Sequence, residues 1–135
     1  MSAARQPRQR RPRQKRSLTA QLASVVLGFE AIIVFLGGLV IFGLKVLPAG
    51  IPDWVGIVAG TVVAVVMVAT AGFVHKPAGI ATGWVLQAIV ALSAFLVPAM
   101  LLIALIFGGM WAYATIQGPR IEARTRAAAP EGEAQ

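Results

Sequence analysis

Residues 80–117, IATGWVLQAIVALSAFLVPAMLLIALIFGGMWAYATIQ, run for 38 positions without a charged side chain, and how often they cross a bilayer decides the architecture. As one helix the stretch would be about 57 Å long at about 1.5 Å per residue. That is nearly twice a hydrocarbon core of about 30 Å. Two crossings of about 18 residues each fit instead, and Pro98, which has no N–H to continue the helical ladder, stands between them. The charges argue the same way. Basic flanks stay on the cytoplasmic side, so the arginine-rich start fixes the N-terminus there and Lys76 returns to it after a second span. Arg120, Arg124 and Arg126 join them only if residues 80–117 cross twice.

Working outward, the rest of the chain has the same character. It is 58% hydrophobic and 13% charged, against about 45–50% and about 25% in soluble domains, and its apolar residues are gathered in blocks. Residues 18–47 form a first apolar run led by Ser17, a helix-capping residue type. Lys45, Pro48, Gly50, Pro52 and Asp53 then punctuate the chain, a second run starts at Trp54, and His75, Lys76, Pro77 and Gly79 break it again. The spacing predicts spans at about 19–45, 54–74, 80–97 and 99–117. The fold class expected is all-α: an integral membrane four-helix bundle over 18–121, with a disordered basic N-terminal arm at 1–17 and a tail at 122–135. The first apolar run is longer than the centre of a secretory signal, so it reads as a retained anchor. Arg10 and Arg11 are followed by PRQKR, which does not suit a twin-arginine signal.

The net charge of +7 arises wholly in residues 1–16, because the acids and bases that follow cancel. The arm is expected to orient the first span and to lie against anionic lipid headgroups, each basic residue contributing about 1 kcal/mol near the surface. No aromatic residue interleaves its arginines, so specific nucleic-acid binding is not expected. Without cysteine, disulfides, Fe–S clusters and thiolate zinc sites are excluded. The single histidine has no partner ligand, and neither metal nor cofactor is expected.

Glu30 is the one acid inside an apolar run, where a carboxylate needs a partner, a proton or a water-filled cavity. Counted at 1.5 Å per residue from the cytoplasmic ends, Glu30 lies about 12 Å deep and Gln87 and Trp111 about 10 Å. Thr70 lies close to the same layer on the second span. Each span also carries small residues on one stripe: Gly37 with Ala23 and Glu30, Gly56 with Gly60, Gly83 with Gln87, and Gly108 with Ala104 and Ala112. Such stripes let helices approach where lipid offers no hydrophobic drive for association. Glu30 is therefore expected to face the interior, either as a protonated carboxyl hydrogen-bonded to Gln87 or Trp111 that fixes helix register, or as a proton- or cation-exchanging site.

In span one Leu27, Glu30 and Ala31, in span three Gly83 and Gln87, and toward the end Pro98, Phe107, Trp111, Gly118 and Ile121 together resemble a family of small four-span membrane proteins. That family is one of high-GC Gram-positive bacteria, a domain of unknown function. The resemblance covers residues 18–122 and implies a multi-pass cytoplasmic-membrane protein, with no activity to carry over. Three classes of function follow from the residues. An accessory or scaffolding protein that binds a membrane-protein partner, or its own copies as a homo-oligomer, suits the low polar content. A small proton-coupled transporter using Glu30 is the alternative. An enzyme would need a nucleophile or an acid–base pair in reach, and Glu30 has neither beside it in sequence.

Overall fold

The structure is a computed structural model that describes residues 17–133, and these form four helices: α1 Leu18–Leu44, α2 Trp54–Ala71, α3 Pro77–Ser93 and α4 Ala99–Glu133. No strand occurs among the described residues. The basic arm at 1–16, expected to be disordered, lies outside them.

Local chemistry accounts for the helix ends. Ser17 Oγ accepts from the Ala20 N–H at 3.2 Å and starts α1. The helix stops at Lys45, whose φ of 51° is left-handed. Gly50, with φ at 95°, turns the chain where a side chain would be strained. Asp53 precedes α2 without a capping bond from its side chain. Pro77 occupies the first turn of α3, where a missing N–H costs nothing.

The expected spans shift in three places, the first being α2, which ends at Ala71 rather than near residue 74. α3 ends at Ser93, earlier than expected, because the Leu96 and Val97 N–H groups both fold back onto Ser93 O at 3.0 Å. Pro98 follows with no N–H, and α4 restarts at Ala99. α4 also continues to Glu133, through residues expected to form a short helical extension and then a tail. Glu122 Oε1 accepts from the Thr19 N–H at 2.9 Å and pins this extension to the start of α1. Alanine and arginine, both good helix formers, carry it onward.

α1, α2 and the apolar part of α4 are long and apolar enough to cross a membrane. α3, with 17 residues, spans about 26 Å by its helical rise. Phe29, Ile32, Val65, Phe95, Leu102 and Leu105 are all more than half exposed, a surface suited to lipid. The chain is a membrane protein by these helices.

α1 packs most extensively on α2, α4 packs on both α1 and α3, and α2 touches α3 less. α1 and α3 therefore face each other across the middle. One end of the assembly carries the α1–α2 and α3–α4 turns, and the other carries the start of α1 and the 72–76 turn. Near the first end α1 and α2 meet backbone to backbone. A Cβ on Gly60 would fall 2.8 Å from Gly38 Cα, and one on Gly38 would fall 2.8 Å from Gly56 O. Gly37, expected to be a helix-packing residue, lies against the Met100 side chain of α4, and Gly38 makes the contact with α2. Gly60→Leu should therefore lower stability by about 1–3 kcal/mol or more, the usual cost of overpacking. Gly43→Ala, where an added Cβ meets nothing within 4 Å, should be neutral or gain up to about 1 kcal/mol. Unfolding of the two variants in mixed micelles would show the contrast, and equal losses would contradict it.

Candidate functional site: a buried carboxyl–amide pair

Glu30 is wholly buried, in the N-terminal half of α1, toward the end of the assembly that carries the 72–76 turn. Its register follows from the sequence: Ala23, Glu30 and Gly37 are seven apart, and all three are buried. Gln87 reaches it from α3, and Nε2 donates to Glu30 Oε2 at 2.5 Å. This bond joins the two helices that oppose each other across the assembly. The sequence left Gln87 and Trp111 as alternative partners; the structure pairs Glu30 with Gln87.

Trp111 is also wholly buried. Its indole lies across α3 at Gly83, and the ring occupies the space a Cβ there would need. Gly108, three residues earlier on α4, sits against the same pair: a Cβ there would be 3.5 Å from Gln87 Oε1. Trp54 and Trp84, by contrast, are exposed. The Trp111 ring thus lies against α3 one helical turn from Gln87, the partner of Glu30. Thr70 does not join their hydrogen bonding: it is fully buried, but its hydroxyl donates to Val66 O of its own helix at 2.7 Å.

Other polar ties escaped the sequence reading. Ser24 Oγ donates to Ala71 O at 2.7 Å and satisfies a carbonyl at the end of α2. Thr19 and Glu122 bind α1 to α4, and Gly118 makes room for Thr19 there. Glu122 and Thr19 are 103 residues apart in the chain, so no local spacing signals their contact. The Gly37-Gly38 pair was a visible signal for the α1–α2 contact, although periodicity from Glu30 selects only the first member.

Chemically the layer is a single carboxyl without a nucleophile or second acid. It can accept hydrogen bonds and hold or release a proton. Among the described residues no group of three or more His, Asp or Glu could hold a metal ion. Among the described residues four buried side-chain polar atoms have no protein partner: Glu30 Oε1, Gln87 Oε1, Trp111 Nε1 and Thr19 Oγ1.

Among the described residues several cavities lie near the layer without including the carboxyl, one of about 390 Å³ between α1 and α4 at Val26 and Met110. A groove of about 540 Å³ lies between α1 and α2, with Gly28, Ala31 and Ala64 among its small residues and Phe35, Val65 and Val68 among its larger ones. A smaller cavity of about 160 Å³ lies among the helices, bounded by Val34, Gly60, Val90 and Met100. It ends one helical turn from Glu30 on α1 and from Gln87 on α3.

No curated protein and no solved structure matches the chain. Residues 21–127 match the model of the family described as "Protein of unknown function (DUF4233)", and the chain belongs to that family.

Proposed function

We propose that the chain is a four-crossing accessory or scaffolding protein of the cytoplasmic membrane that seats another membrane component against its lipid-facing surface. The groove between α1 and α2 carries this reading. It is large, it is floored by Gly28, Ala31 and Ala64, and no charged side chain lines it. Small residues of this kind let a neighbouring helix approach closely in lipid. Glu30 is enclosed behind this surface and held by Gln87, the arrangement of a structural polar contact.

The partner reading has a direct test. A photo-crosslinking residue at Val65, within the groove, should yield a discrete protein adduct in native membranes. The same residue at Leu105, exposed on α4, should yield lipid adducts alone. Lipid adducts alone from both positions would sink the scaffold.

The topology follows from charge. With both ends cytoplasmic, Lys76 and the α4 arginines stay on the side of the basic arm. The chain has no cysteine, so single cysteines can be placed without background. Ala49→Cys and Phe95→Cys, at exposed positions on the two turns, should react with an impermeant reagent outside intact cells. Ala128→Cys should not. Labelling at both 49 and 128 would mean an odd number of crossings, and labelling at 128 alone would mean that both ends lie outside.

One observation favours a second reading, a small proton-coupled transporter. The 160 Å³ cavity approaches Glu30 and Gln87 from the turn end, so a substrate entering there would stop one turn short of the carboxyl. Loss of proton-driven flux in Glu30→Gln vesicles would establish that reading over the scaffold.

A further inference from the structure

We propose that one water molecule is a built-in component of the Glu30 layer, bound among Glu30 Oε1, Gln87 Oε1 and Trp111 Nε1 and joining α1, α3 and α4. The argument begins with donors and acceptors. Each of these three atoms is buried without a partner, on residues that are 0%, 6% and 0% exposed. Buried polar groups are nearly always satisfied, so three in one layer require a common explanation.

The first two are close for covalent reasons. Glu30 Oε1 and Gln87 Oε1 are the second atoms of the two groups already joined by the Gln87–Glu30 bond. Gln87 Oε1 faces α4 at Gly108, and Trp111 follows Gly108 by three residues on the same face. The indole in turn lies over Gly83, one turn before Gln87 on α3.

Their chemistry selects the ligand. The indole N–H can only donate, while the amide oxygen can only accept. A metal or ammonium cation could not accept from Trp111, and a halide could not donate to Gln87. A hydroxyl-type group does both, and water is the smallest. It would accept from Trp111 and donate to Gln87 Oε1. With Glu30 ionised, its second proton goes to Glu30 Oε1; with Glu30 protonated there, that O–H donates to the water instead. Three protein partners is the usual number for a buried water.

Gly108 gives the site its room. An added Cβ would stand 3.5 Å from Gln87 Oε1, the atom to which the water would donate. Gly108→Ala should displace the water while leaving the Gln87–Glu30 bond in place.

The experiment is NMR of the full chain, with tryptophan indoles labelled with nitrogen-15, in lipid nanodiscs. Trp111→Phe assigns the Trp111 resonance, and Trp54 and Trp84 serve as internal references. In the unmodified chain the Trp111 indole proton should show a long-lived water contact, with nuclear Overhauser effects of opposite sign in the laboratory and rotating frames. In Gly108→Ala that contact should fall by at least half, and the indole resonance should move upfield. The proposal is overturned by an unmodified chain without the contact, or by Gly108→Ala retaining it at full intensity.

Discussion

Trp111→Ala should destabilise the protein by about 3 kcal/mol, the lower end of the range for removing a buried aromatic from a core. The lower end applies because the lipid-solvated reference state already surrounds the indole with apolar atoms, so lost packing dominates over transfer from water. The stronger statement concerns the partner glycine. The indole fills the space that a Cβ on Gly83 would need, so Gly83→Ala must push the ring or part α3 from α4. Alone, it should cost about 1–3 kcal/mol through overpacking. In a Trp111→Ala background the obstruction is gone, and the same substitution should become neutral or slightly stabilising, since alanine is the better helix former. The two changes should therefore be strongly non-additive in reversible unfolding in bicelles. Additivity within about 0.5 kcal/mol would mean that the ring and the glycine do not meet.

Much of the fold was legible because lipid imposes simple constraints. Apolar run length and the one-sided arginines give the number of helices, and Pro98 marks the break between the last two. Packing detail was less legible. Gly37 and Gly38 are equally small, and only the rotation of α1 relative to α2 decides that Gly38 makes the backbone contact. The helical extension expected after residue 122 runs on to Glu133 as part of α4. Glu122 holds the helix by a bond to Thr19 at the other end of the chain.

In the candidate site, depth counting brought Glu30, Gln87 and Trp111 to one level. It could not assign their partners. Thr70 shows why: it is at the right depth and fully buried, but its hydroxyl reaches the carbonyl of Val66 one turn back on its own helix. Intrahelical back-bonding of this kind is open to any helical threonine and is invisible in composition.

The Glu30–Gln87 pair should show the asymmetry expected of a buried polar contact. Gln87→Leu removes the amide that donates to Glu30 Oε2 and leaves a wholly buried carboxyl without its donor. That should cost about 1–3 kcal/mol, and more if the group is charged, because a buried polar atom forfeits its hydration without compensation. Glu30→Gln preserves shape and still offers an oxygen to Gln87 Nε2, so its loss should stay near a single neutral hydrogen bond, about 1 kcal/mol. The double variant Glu30→Leu with Gln87→Leu is the decisive comparison. With both partners apolar neither member of the pair is left unmet, Trp111 Nε1 keeping the same want of a partner it has in the original chain, and stability should return toward that of the original chain. If the double variant is instead as unstable as Gln87→Leu, the pair is not the interaction that holds α1 to α3. Measuring function on the same proteins divides the two proposed roles. A scaffold should keep its Val65 adduct in the restored double variant, whereas a proton-coupled carrier should lose flux there however well it folds. The carboxyl matters to a scaffold only through the helices it joins, and to a carrier through a proton that leucine cannot hold.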